Sequence, residues 1–132
     1  MNKLKLIVAA LTLALVLSSC SPGHQLIEPK FNVIETTDKV LEKAILDSLM
    51  SKNWIITGQE LNKLTADYSR GRISVSISVH YAKGEITIIH EKSENLKYKE
   101  EEGKIYIHPT YNKWIRNLEK EIKLRVQEVK FK

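Results

Sequence analysis

From Ile73 to Tyr81 the chain alternates without interruption: Ile73, Val75, Ile77, Val79 and Tyr81 are apolar, and Ser74, Ser76, Ser78 and His80 between them are polar. Successive side chains of a strand point to opposite faces, so this run demands a sheet with one face buried and the other wet. Arg70-Gly71 and Lys83-Gly84 flank the run as turn signals. Read as two-residue loops, they place Tyr68 opposite Ile73, Ala66 opposite Val75 and Leu64 opposite Ile77. On the other side they place Tyr81 opposite Ile86, Val79 opposite Ile88 and Ile77 opposite His90. Every apolar set then shares one face. The expected sheet is a three-stranded antiparallel meander whose first strand starts at Trp54-Ile55-Ile56-Thr57, bends or bulges at Gly58 and resumes at Leu64. His80 falls opposite Thr87 on the wet face and His90 on the core face, so the two share no metal ion. No other spacing of ligands suits zinc, and no metal is expected.

Such a sheet needs an apolar cover, and two amphipathic segments offer one. Thr36, Thr37 and Asp38 are competent N-caps, after which Val40, Leu41, Ala44, Ile45 and Leu49 recur at helical spacing up to about Lys52-Asn53. Pro109 or Thr110 opens a second helix in which Tyr111, Ile115, Leu118, Ile122, Val126 and Val129 form one stripe, flanked by Trp114. The charged run Lys99-Glu100-Glu101-Glu102-Gly103-Lys104 reads as a solvated loop, and Ile105-Tyr106-Ile107 as a short extended piece. The expected fold class is α+β: a two-layer α-β-β-β-α domain with both helices on one face of the sheet. The serine face stays open.

The N-terminus sets the address. Lys3 and Lys5 precede an apolar run from Leu6 to Leu17, then Ser18, Ser19 and the only cysteine, Cys20. A run of about 12 residues falls short of the roughly 20 that a membrane-spanning helix requires, and it has the layout of a secretory signal. An ordinary cleaved signal would leave Cys20 as a free thiol in an oxidising compartment. The segment resembles the lipobox of bacterial lipoproteins. That resemblance implies that residues 1–19 are removed as a signal peptide and that Cys20 becomes the lipidated first residue, carrying covalent diacylglycerol and an N-acyl chain. Stable attachment needs two or more such chains. Ser21 after the cysteine implies sorting to the outer membrane in a Gram-negative host, with the protein facing the periplasm. Residues 20–35, containing Pro22, Gly23 and Pro29, then read as lipidated cysteine and tether, with Phe31, Val33 and Ile34 docking as an extended segment. Residues 36–132 form a single domain.

Charge narrows the partners. The chain has 21 basic and 16 acidic residues. Removing Lys3 and Lys5 leaves 19 against 16, a balance of +3 that is too mild to point to nucleic acid. No cysteine remains for a disulfide, and no internal repeat or catalytic glycine-rich motif is present.

The run Asn53-Trp54-Ile55-Ile56, then Leu64-Thr65-Ala66-Asp67-Tyr68, then Ser93-Glu94-Asn95-Leu96-Lys97-Tyr98, and finally Ile107-His108-Pro109-Thr110-Tyr111-Asn112-Lys113-Trp114-Ile115-Arg116-Asn117-Leu118 resembles, over about residues 53–122, a group of small uncharacterised proteobacterial lipoproteins. The resemblance implies location and fold rather than mechanism. The candidate binding residues are His90, Ser93, Asn95 and Tyr98 at the end of the sheet, with His108, Tyr111 and Asn112 at the entry to the second helix. Brought together, they would line an edge suited to an anionic or peptide ligand, helped by the N–H groups of a helix start. The competing structural account has Asn95 and His108 bonding loop backbone, Asn112 capping the helix and the rings filling core. His90 or His108 beside Ser93 lacks a nucleophile motif, so no catalytic residues and no enzyme activity are expected. No cofactor beyond the lipid is expected. The expectation is a lipid-anchored, non-catalytic envelope protein that binds a protein partner, with a small-ligand or anion sensor using His90, Asn95, His108 and Asn112 as the alternative.

Overall fold

A computed structural model describes residues 23–130; the expected signal peptide, residues 1–19, and Cys20 lie outside the described residues. The fold is α+β, but the sheet is larger than a three-stranded meander. Among the described residues, two helices accompany eight strands in two antiparallel sheets. In chain order these are β1 (His24–Gln25), β2 (Lys30–Asn32), α1 (Asp38–Ser51), β3 (Ile55–Glu60), β4 (Lys63–Arg70), β5 (Ile73–Ala82), β6 (Glu85–Glu94), β7 (Lys99–Glu101), β8 (Lys104–Ile107) and α2 (Pro109–Lys130). The five-stranded sheet has the order β2-β6-β5-β4-β3, and the smaller one β1-β8-β7.

Three local features account for the extra strands. The first is a turn at Leu61-Asn62, which separates β3 from β4 without a glycine. Asn62 takes a positive φ of 60°, and its amide donates to Tyr81 O at 2.7 Å and to Asp38 Oδ2 at 3.0 Å. Asparagine tolerates this conformation better than other side chains do. The second is the acidic run 99–104, which is a hairpin rather than a loop, closing at Glu102-Gly103 with φ of 52° and 77°. The third is the stretch expected to be tether. His24 and Gln25 pair with Ile107 and Tyr106, while Lys30, Phe31 and Asn32 pair with Thr87, Ile86 and Glu85.

The β5–β6 register is as expected: Tyr81 faces Ile86, Val79 faces Ile88, Ile77 faces His90 and His80 faces Thr87. The β4–β5 register is shifted by two residues. The turn is Gly71-Arg72, not Arg70-Gly71, so Tyr68 faces Val75, Ala66 faces Ile77 and Leu64 faces Val79. Gly71, with φ of 61°, occupies the first central position, which a glycine favours in tight hairpins. A shift of two preserves which face each side chain takes. The apolar face is therefore the expected one. The register also slips between Ile56 and Gly58, making Thr57 the extra residue of a bulge.

Both helices contribute to a single core with this face. Leu41, Ala44, Ile45 and Leu49 of α1, and Tyr111, Ile115, Leu118, Ile122 and Val126 of α2, are buried with Leu64, Ala66, Val75, Ile77, Val79, Ile86 and Ile88. Each such large side chain contributes roughly 1.5–3 kcal/mol of transfer free energy. Thr37 caps α1 by accepting a hydrogen bond from Val40 N–H at 3.2 Å. Val129 departs from the expected stripe and is 46% exposed.

Candidate functional site

The expected edge divides into a cluster and a brace. His90 lies on the core face near the end of β6. Its Nε2 is 2.9 Å from Ser93 Oγ. Its ring stacks on Tyr98 at 4.9 Å and 13°, and meets the edge of Tyr111 at 5.3 Å and 80°. The His90 backbone N–H donates to Glu28 Oε2 at 3.1 Å. Burial lowers the pKa of the imidazole, with the carboxylates of Glu28 and Glu91 opposing the shift. Burial, with a smaller contribution from Glu28, raises the pKa of the Tyr111 hydroxyl. Tyr111 is fully buried, and its Oη has no hydrogen-bond partner.

Residues 90 and 93 share a face because of a second bulge. Ile77 pairs with His90, but Ser76 pairs with Lys92, leaving Glu91 as an extra residue. Glu91 accepts from Ser78 Oγ on the outer face at 2.6 Å. The bulge sets Lys92 opposite Ser76 on that same outer face and returns Ser93 to the side of His90.

Asn95, His108 and Asn112 serve the backbone. Asn95, with φ of 61°, donates from Nδ2 to Arg72 O at 2.7 Å, tying the loop after β6 to the β4–β5 turn. His108 Nδ1 accepts from Thr110 N–H at 3.1 Å and so closes the start of α2, behind Pro109 at the first helical position. Asn112 does not cap α2. Its Oδ1 accepts from Ile27 N–H at 3.1 Å, and its Nδ2 donates to Gln25 O at 2.9 Å, clipping the N-terminal segment to the helix. Glu28 was not among the expected residues because it lies in the stretch read as tether.

The serine face is not an open polar plane. Ser76 donates to Asp67 Oδ1 at 2.6 Å, and Ser78, which is fully buried, also contacts His80 Nε2 at 3.1 Å. The outer side of the helical layer carries a different feature: a groove of about 510 Å3 lined by Val40, Leu46, Met50 and Val129, with Lys39 and Lys43 among its polar neighbours. Met50 is 59% exposed. Lys43 pairs with Asp47 at 2.9 Å, and Glu42 accepts from Gln59 and from the Tyr81 hydroxyl at 2.6 and 2.9 Å. That bonding, together with burial, pushes the Tyr81 pKa up to about 12, with burial the larger cause. Among the described residues, neither Lys39 nor Glu42 of this rim is in an ion pair, so the two carry opposite, unpaired charges.

Among the described residues, no group of three His, Cys, Asp or Glu side chains is placed to hold a metal ion, and no helix is long and apolar enough to cross a membrane. Compared with models of known protein families and with curated proteins, the chain matches none.

Proposed function

We propose that this chain is a lipid-anchored, non-catalytic adaptor of the cell envelope, held through Cys20 and facing the periplasm from the outer membrane of a Gram-negative host. The observation that carries the adaptor reading is the contrast between its surfaces. The polar candidates Asn95, His108 and Asn112 are engaged in holding loop, helix entry and N-terminal strand, whereas the groove beside Met50 leaves apolar side chains in water. Its occupant is an apolar segment of a partner protein, since the charges of the rim balance, Lys39 and Lys43 against Glu42 and Asp47, and leave the apolar side chains as the feature to cover. His90 and Ser93 form a pair with no carboxylate on the ring, covered by two tyrosines. That arrangement suits packing better than acyl transfer, which needs an oriented base and oxyanion donors.

The test is crosslinking of the full-length lipidated protein in its native membrane, followed by purification in mild detergent. Met50→Lys and Lys39→Glu change exposed side chains on the groove, and each should release a partner that Ser93→Ala retains. A partner kept by all three variants would move the interface elsewhere. Absence of any partner would overturn the adaptor reading.

A second reading is favoured by Tyr111, whose buried hydroxyl lacks a partner among the described residues and whose ring meets His90, itself stacked on Tyr98. A small hydrogen-bonding ligand that displaces Tyr98 would reach it. Tyr111→Phe would then abolish ligand binding while leaving the fold intact.

A further inference from the structure

The point where the chain enters the fold lies at one end of the sheet, and that end carries four cations outside any ion pair. His24 pairs with Ile107, His108 N–H donates to Leu96 O at 2.8 Å, and Asn95 holds Arg72 O. These links run in sequence from the chain's entry, across the loop after β6, to the β4–β5 turn. Arg70, Arg72, Lys97 and Lys113 are all exposed along this path and at the adjoining start of α2. None of the four is in an ion pair among the described residues. Glu94 at the end of β6, Glu28 beside His90 and Glu100 beside the Tyr98 hydroxyl are carboxylates near this end, set against those four cations. Tyr98, 43% exposed, lies between Lys97 and Lys99. Tyrosine and lysine are the side chains that settle at the level of lipid headgroups.

Chain length supplies the second constraint. Pairing with β8 begins at His24, and Asn112 clips Gln25 and Ile27. Four peptide units separate His24 from Cys20, a span of at most about 14 Å. The headgroup layer on each side of a bilayer is itself roughly 5–7 Å deep. A lipid on Cys20 therefore leaves no slack for the domain to tumble freely.

We propose that the domain stands end-on upon the membrane, with Arg70, Arg72, Lys97, Tyr98 and Lys113 against the headgroups of anionic phospholipids. This proposal rests on the lipidation of Cys20. The ten-residue β5 then rises roughly 33 Å from the bilayer, so Ala82 and the β5–β6 turn point away from it. A basic residue beside an anionic surface strengthens attachment by about fivefold, so the four cations fix the orientation that the short tether permits.

The experiment uses full-length lipidated protein in vesicles of phosphatidylglycerol and phosphatidylethanolamine. Lipidation consumes the only native thiol, so Ser69→Cys at the end carrying these cations and Ala82→Cys at the opposite end each give a single labelling site. A fluorophore on each is tested for quenching by lipids brominated near the headgroup. Quenching at position 69 but not at 82 is expected, and the contrast should shrink in phosphatidylcholine vesicles or after Arg70→Glu with Arg72→Glu. Equal quenching at both sites, with the lipid on Cys20 confirmed by mass, overturns the orientation alone. A Cys20 without lipid overturns the anchor reading and this proposal together.

Discussion

His90 and Ser93 are three residues apart in one strand, and yet His90 Nε2 and Ser93 Oγ lie 2.9 Å from each other on the same face of the sheet. Unbroken alternation would send them to opposite faces. Glu91 makes up the difference as the bulged residue. Ser93→Ala should cost about 1 kcal/mol, the usual net value of one hydrogen bond. Deleting Glu91 should also destabilise the fold, because it removes the partner of Ser78, yet it restores simple alternation and leaves Ser93 on the face of His90. Urea unfolding of the two variants beside the native chain measures the difference.

The same imidazole gives a pH dependence. Burial lowers the His90 pKa from its ordinary 6.5, so the unfolded chain binds a proton more readily than the folded one. The contribution is full above pH 6.5 and is lost as pH falls from there through the lower folded value. Glu28 and Glu91 limit the loss by favouring the charged ring. Unfolding followed from pH 8 down to pH 5 should show a decline that is smaller in His90→Gln.

Tyr111 and Tyr81 should respond in opposite directions to removal of their hydroxyls. Tyr111 Oη is buried without a partner, a situation that costs about 1–3 kcal/mol, so Tyr111→Phe should raise the thermal midpoint or leave it unchanged. Tyr81→Phe loses the bond to Glu42 Oε2 and should lower the midpoint. Thermal denaturation of both variants provides the comparison.

Gly58 follows the first bulge because nothing larger fits there. A Cβ at this position would collide with Thr65 Oγ1 on β4. Gly58→Ala should destabilise the fold by about 1–3 kcal/mol, the range for overpacking. Thr65→Ala in the same chain should restore most of that loss. A double-mutant cycle in which the two effects simply add would refute the contact.

Asn112 joins two distant parts of the chain through both ends of its amide. Asn112→Ala should lose about 1–3 kcal/mol as two bonds are removed. Hydrogen exchange should locate the effect: the amides of Leu26 and Ile27 should lose protection, while those of β4, β5 and β6 keep theirs.

What the sequence reveals depends on whether a local signal exists. Thr37, Pro109 and the apolar spacings mark both helices, and Lys83-Gly84 marks the β5–β6 turn, so those elements can be read directly. The β4–β5 turn lies one residue from its expected place, which moves the pairing register by two, because Arg70-Gly71 and Gly71-Arg72 are equally plausible on composition. The faces survive because the error is even. The Leu61-Asn62 turn is hidden because the positive φ belongs to an asparagine whose partners, Tyr81 and Asp38, are remote in sequence. Strand β7 is hidden because all three of its residues are exposed and charged. At the candidate site, the convergence of His90, Tyr98 and Tyr111 agrees with the expected cluster. Asn95 and His108 bond backbone as the competing structural account expects, His108 to Thr110 only two residues on; what no local pattern announces is the pairing of Asn112 with Ile27 and Gln25, 85 and 87 residues away.

The attachment of β1 has a mechanical consequence. Tension arriving from upstream of Gly23 enters the fold at His24 and is borne first by two residues of strand pairing and the amide of Asn112. The large sheet and its helices lie behind that clasp, so a pull strong enough to open it would lengthen the leash by several residues before reaching the pairing of Lys30, Phe31 and Asn32 with β6. Asn112 thus acts as a fuse between the proposed tether and the hydrophobic core.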